Sequence, residues 1–255
     1  MVEIKSDAAV DAMREAGRVV ANALAAVEEA AAVGVSLLEL DEVARGVLNA
    51  AGASSPFLGY RPSFAPVPFP AVICASVNDA VVHGIPDGYR LCDGDLVSID
   101  CGAILDGWAG DAAISFTVGT ARPEDTVLID ATRRALDAGI AAAVVGNRIG
   151  DISHAIGRVV RAGRYGTPEG YGGHGIGRRM HEDPHVPNVG RPGRGYPLRP
   201  GLVLAIEPML TAGGRDDYDT DPDGWTLRTT DGTRATHIEH TVAITEDGPR
   251  ILTLR

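Results

Sequence analysis

Gly172-Gly173-His174-Gly175-Ile176-Gly177, followed by Met180-His181-Glu182-Asp183-Pro184-His185-Val186-Pro187-Asn188, is the stretch on which the reading of this chain turns. It sets three histidines among glycines and prolines. That composition argues against an ordinary helix or a central strand. It predicts irregular backbone and imidazoles brought close to a bound group. Acidic residues in ligand-like settings occur before and after the stretch, so the expected group is a metal ion.

Upstream, Asp100 closes the apolar run Asp95-Leu96-Val97-Ser98-Ile99-Asp100, and Asp111 follows an Asp106-Gly107 hairpin turn. A hairpin there would set the two carboxylates side by side, Asp100 at the end of one strand and Asp111 at the start of the next. Adjacent carboxylates repel, so they need a cation or a shared proton. Downstream, Glu207 closes Val203-Leu204-Ala205-Ile206 before Pro208, and Glu239 sits in the β-prone run His237-Ile238-Glu239-His240-Thr241-Val242. Each acid alone reads equally well as a capping, turn or solvated strand residue. Four at apolar strand ends, with His174 in a glycine loop, can hold two metal ions if two of the carboxylates bridge. Oxygen ligands with one nitrogen suit Mn, Fe, Co or Zn, and two close metals activate water and polarise a carbonyl.

Between these points the chain reads as helices and strands. Ser6 is placed to cap a first helix with Val10, Met13, Val20, Leu24 and Val27 on one face. Ser36-Leu37-Leu38-Glu39 has the form of a capping box for a second helix that stops near Gly52. Residues 60–70 read as a surface polyproline loop. Strands are predicted over 71–77, 95–101 and 114–118. A third helix runs from Pro123 to about Gly146, and a fourth from Asp151 to Gly163. Further strands are predicted over 202–206, 226–229, 238–244 and 251–254, with Asp247-Gly248-Pro249 turning the last pair. A shift of 112 residues sets Gly34, Leu40, Ala44, Val47 and Leu48 on Gly146, Ile152, Ile156, Val159 and Val160. Each half then reads as two helices followed by strands. The expectation is one α+β domain over 1–255, with two related halves.

Composition narrows the function. The 255 residues, 45% hydrophobic, can bury a full core. A net charge of -11 argues against a general nucleic-acid binder, which needs a basic footprint, and leaves room for a local basic patch. Cys74, Cys92 and Cys101 are odd in number and form no CxxC pair, so a reducing cytoplasm fits best. No signal-peptide core or membrane-length apolar run is present.

The ordered set Val81-Val82-His83-Gly84-Ile85-Pro86, Ser98-Ile99-Asp100-Cys101-Gly102, Gly110-Asp111, Gly173-His174-Gly175-Ile176-Gly177, Ile206-Glu207-Pro208-Met209 and Ile238-Glu239-His240-Thr241 resembles the type I methionine aminopeptidases of peptidase family M24, over nearly the whole chain. The resemblance implies the pita-bread fold, two pseudo-symmetric halves around a dinuclear site of divalent ions. It implies that Asp100 binds one metal, that His174 and Glu207 bind the other, and that Asp111 and Glu239 bridge. Glu207 would be general base to a metal-activated water, His181 would face the reacting carbonyl, and His83 would contact the substrate near the scissile amide. Cys74 and Trp225 match pocket residues, and Phe69 is a candidate aromatic wall.

The implied activity is removal of the initiator Met from nascent chains whose second residue is small. The implied enzyme is cytoplasmic and monomeric, in transient association with ribosomes and with no membrane or specific nucleic acid. Met180, in the implied pocket wall, departs from a common phenylalanine, His237 from a common glutamine, and the 60–70 loop looks long for the family. No zinc-finger extension precedes the first helix, just before which Met1 stands, and no long insertion of the type II kind breaks the second half. His185 drops out as a surface or packing residue, and His240 reads as structural. Two other classes are an Xaa-Pro aminopeptidase or dipeptidase on the same fold, and a non-catalytic ribosome- or nucleic-acid-binding relative. The first would carry a large N-terminal domain, and the second would have lost metal ligands.

Overall fold

In the computed structural model, residues 2–63 and 65–255 are described; Met1, and Phe64 of the 60–70 loop, lie outside the described residues. Helices α1 (Asp7–Ala30) and α2 (Leu37–Ala50) come first, then strands β1 (Ile73–Val77), β2 (Ala80–Val82), β3 (Leu96–Leu105) and β4 (Trp108–Thr117). Helices α3 (Pro123–Ala142) and α4 (Ile149–Gly163) open the second half. Strands β5 (Gly172–Gly175), β6 (Glu182–Pro187), β7 (Val203–Ile206), β8 (Met209–Thr211), β9 (Tyr218–Thr220), β10 (Leu227–Thr229), β11 (Ala235–His237), β12 (Glu239–Thr245) and β13 (Gly248–Ile251) complete it. A large sheet runs β1-β3-β4-β12-β7-β5-β6, with β13 on β12; β2-β10-β9 and β11-β8 form smaller sheets.

The helix starts follow from their caps. Ser6 Oγ accepts the Ala9 N–H at 3.3 Å, and the predicted face of α1 is buried. Ser36 and Glu39 cap each other's backbone at 3.3 and 2.8 Å, a complete capping box. Pro123 occupies the first turn of α3, where its missing N–H costs nothing. The 112-residue shift carries 37–50 onto 149–162, against an observed α4 of Ile149–Gly163. The internal repeat is therefore a repeat of structure.

The two halves pack alike. Val97, Ile99, Cys101 and Ala103 of β3 bury against α1 and α2. Leu204 and Ile206 of β7, with Val242 and Ile244 of β12, bury against α3 and α4. Because strand side chains alternate, the other set of residues on each strand looks to the opposite face. The halves meet where β4 pairs with β12.

Several expectations are corrected. Gly172–Gly175 is a strand, held between β6 and β7. Its glycines suit it to that place: a Cβ on Gly173 would lie 2.1 Å from the Ala205 carbonyl oxygen, and one on Gly175 would lie 2.1 Å from that of Asp183. Close approach of neighbouring backbones, not irregularity, is what the glycines serve. Asp100 lies in the middle of β3 and Asp111 is the fourth residue of β4, because the hairpin continues to Leu105 and Trp108. Its Asp106-Gly107 turn has φ of 50° and 77°, the primed form that matches strand twist. The last strand is 248–251, so Gly248 and Pro249 lie in it and the turn precedes them. Proline is tolerated because β13 is an edge strand, joined to β12 alone.

Candidate metal centre and substrate pocket

Register brings the predicted ligands together. Asp100 stands opposite Ala113, which stands opposite Glu239. Gly102 stands opposite Asp111, so Asp100 and Asp111 are diagonal neighbours on one face rather than directly paired. On the second half, Ala205 faces Thr241 on one side and His174 on the other. Glu207 comes two residues after Ala205, and Glu239 two before Thr241. All five side chains therefore rise from the face opposite the helices. Thr241 closes the seam: its hydroxyl accepts the Asp111 N–H at 3.0 Å and donates to the Asp111 carbonyl at 2.7 Å.

His174 Nδ1 lies 2.9 Å from the Gly175 carbonyl oxygen, which can only accept. That bond puts the proton on Nδ1 and leaves the Nε2 lone pair free for a metal. Nε2 lies 4.0 Å from Asp111 Oδ2 and 3.7 Å from Glu207 Oε1. One donor atom from each of Asp111, His174 and Glu239 falls within 4.8 Å of the others. Asp100 lines the same cavity.

The electrostatics call for a cation. Burial, then the neighbouring acids, push Asp111 and Glu239 well above the usual carboxylate range. Burial does the same to Glu207 and takes Asp100 to about 7. Burial lowers His174 to about 3 and His83 to about 4, so neither ring is charged at neutral pH. Asp100 Oδ1, Asp111 Oδ1 and Glu239 Oε1 are buried without a hydrogen-bond partner among the described residues. Repelling buried acids with unpaired oxygens beside a neutral imidazole lone pair fit divalent ions.

Beside this cluster lies a cavity of about 280 Å³. Phe69, Cys74, Met180 and Trp225, the four predicted wall residues, pack with Phe57 into one buried apolar group. The Phe69 and Trp225 rings meet edge to face at 5.1 Å. Residues 60–70 form the predicted surface loop, exposed over most of its described residues, yet tied down at two points. Trp225 Nε1 donates to the Val67 carbonyl at 3.0 Å and Phe69 is buried, so the loop lies down as the pocket wall. Tyr60, which sequence reasoning missed, stacks on His181 at 5.5 Å. Its one available signal was an aromatic beside a proline-rich run.

The remaining histidines divide clearly. His83 lines the cavity with φ of 59°, a strained value for a side-chain-bearing residue and one typical of functional sites. His181 lies 4.3 Å from His174, ring to ring, and stays exposed at the mouth. Next to it, Glu182 pairs with buried Lys5 at 2.7 Å, which pins the start of β6. His185, set aside as a surface or packing residue, is exposed and also lines the cavity. His240 Nδ1 is bonded to the Thr253 hydroxyl at 2.8 Å, a structural role. His237 is buried with Nε2 3.2 Å from Glu207 Oε2.

A carboxylate-rich cluster with metal-ligand spacing on the face of a two-half α+β sheet, beside an apolar pocket, is the arrangement of a metallohydrolase. The model of metallopeptidase family M24 matches residues 11–246, and the chain belongs to that family. It is 57% identical to methionine aminopeptidase 1 of Mycobacterium tuberculosis, over 100% of this chain and 96% of the relative. It is 47% identical to the methionine aminopeptidase of Clostridium acetobutylicum, over 100% and 99%. The crystal structure of methionine aminopeptidase from Thermotoga maritima superposes with a TM-score of 0.95 at 38% identity, covering 100% of both chains. The prolidase of Pyrococcus horikoshii shares the fold at a TM-score of 0.75 and 21% identity, covering 98% of this chain and 63% of that one.

Proposed function

We infer that the protein is a methionyl aminopeptidase that acts as one catalytic domain over 1–255 and removes an N-terminal Met when the second residue is small. The observation that carries this reading is the join between the metal cluster and the pocket. The pocket is walled by Phe57, Phe69, Cys74, Met180 and Trp225, which suits an unbranched thioether. Full-length likeness to methionine aminopeptidases, against fold-level likeness to prolidases, supports Met over Xaa-Pro. The complete ligand set counts against a non-catalytic role.

Asp100, Asp111, His174, Glu207 and Glu239 would hold two divalent ions, which supply an activated water and polarise the scissile carbonyl. Co, Mn, Fe and Zn all suit these donors. Glu207 sits beside His174 with an elevated proton affinity and serves as general base. His181, at the mouth over His174, donates to the reacting carbonyl oxygen. His83, facing Trp225 at 6.2 Å, contacts the substrate backbone beside the bound Met side chain. A bulky second residue is excluded sterically at the mouth where Tyr60 and His181 stack. We further propose that the enzyme is a cytoplasmic monomer that meets nascent chains during transient association with the ribosome. Among the described residues no helix is long and apolar enough to cross a membrane.

Release of Met from Met-Ala-Ser but not Met-Lys-Ser by the metal-loaded protein is the expected result. No metal-dependent release from Met-Ala-Ser, or cleavage of Xaa-Pro substrates in its place, would overturn the reading.

A further inference from the structure

We propose that His237 is itself a metal ligand: with Glu207 and Glu239 it completes a second site, which shares Glu239 with the Asp111–His174–Glu239 site. The proposal rests on the dinuclear reading above and changes its ligand set.

Donor spacing is the first argument. One donor atom from each of Glu207, His237 and Glu239 lies within 4.8 Å of the others. His237 Nε2 is 3.2 Å from Glu207 Oε2 and 3.7 Å from Glu239 Oε2. Two donors each about 2.1 Å from one ion stand about 3.0 Å apart at a right angle and about 3.4 Å apart at a tetrahedral angle. The His237–Glu207 distance falls within that range and the His237–Glu239 distance lies just beyond it.

The second argument is the unmade bond. His237 is 3% exposed. Its Nε2 makes no hydrogen bond among the described residues, although a carboxylate oxygen lies 3.2 Å away. A buried ring nitrogen that stands close to two acids without a well-directed hydrogen bond is poorly satisfied, and a cation between the three groups would satisfy all of them.

Rigidity is the third. The His237 N–H is shared between the Ser98 and Ser115 hydroxyls, at 3.2 and 3.1 Å. The Ser115 hydroxyl donates to the His237 carbonyl at 2.8 Å. The ring is therefore presented from a fixed backbone. Glu207 then lies between two imidazoles, Oε1 toward His174 and Oε2 toward His237. Each ion gains one nitrogen donor. The amide of a glutamine, the residue common at this position in the family that the sequence resembles, would not provide one. A nitrogen at both sites favours later first-row metals over Mn.

The test uses the metal-free full chain titrated with Co(II), followed by calorimetry and visible absorption. Wild type is expected to bind two ions. His237→Gln is expected to weaken one of them about tenfold or more and to change the Co(II) absorption bands. A His237→Gln isotherm and spectrum identical to wild type would overturn the proposal and leave the dinuclear reading standing. Failure of wild type to bind two Co(II) ions would overturn the dinuclear reading itself. Proton NMR of the Co(II)-loaded wild type needs no variant. Two exchangeable imidazole N–H signals at strongly shifted positions are expected, and one alone would refute ligation by His237.

Discussion

Thr241→Val tests whether the seam between the halves positions the metal site. Valine keeps the shape of threonine and removes the hydroxyl. That hydroxyl bonds both the N–H and the C=O of Asp111, and Thr241 is fully buried. Water cannot replace either bond. A buried backbone group left without a partner costs about 1–3 kcal/mol, so the two together cost about 3 kcal/mol. For a chain of this size that lowers Tm by roughly 6–12 °C. Asp111 is also freed to shift, and metal affinity falls about tenfold. Thr236→Val is the control. Thr236 is equally buried and bonds Thr132 at 2.6 Å, but Thr132 keeps its bond to the Leu128 carbonyl. Its loss is expected to cost about 1 kcal/mol. Thermal unfolding of the metal-free proteins and a metal titration measure both effects. If Thr241→Val lowers Tm no more than Thr236→Val, the seam does not hold Asp111 in place.

Asp111→Asn retains shape but removes a charge central to the cluster; it should lose most Met-Ala-Ser activity and weaken binding of at least one ion, by activity assay and equilibrium dialysis. Stability of the metal-free protein should fall as pH rises. Asp100, Asp111, Glu207 and Glu239 have folded-state pKa values raised above their unfolded ones. Stability is therefore fully present below about pH 4 and is lost as pH rises through 7, as far as these four groups decide it. The same protons must leave when metal binds, so calorimetry in buffers of different ionisation enthalpy should show net proton release near neutral pH.

The candidate ligands were legible because an acid that interrupts an apolar strand is costly to bury unless a cation or a proton compensates its charge. Their geometry was half legible. Once Asp106-Gly107 is taken as a two-residue turn, pairing must run 105 with 108, and Asp100 becomes diagonal to Asp111. The strand ends were misjudged because Gly102 and Gly110 look like breaks; there the backbone is crowded, by Pro56 and Phe57 at Gly102 and by α1 at Gly110. The same error hid β5, whose glycines let three strands approach. Tyr60, Thr241 and the folded-down loop depend on bonds between residues far apart in sequence, such as Trp225 to Val67 and Thr241 to Asp111, 158 and 130 positions distant. No local pattern signals these. His237 was noticed only as a departure, since nothing in a β-prone run shows which acids its ring will meet.

The pairing of β4 with β12 has a consequence for the protein's own synthesis. The first half supplies Asp100 and Asp111; the second supplies His174, Glu207 and Glu239. Translation reaches Glu239 long after the first half has been made. Until β12 pairs with β4 the five candidate ligands cannot come together, so a growing copy of this chain has no assembled metal site. Assembly of the candidate site and closure of the two halves are therefore one event, and a copy truncated before Glu239 lacks the site.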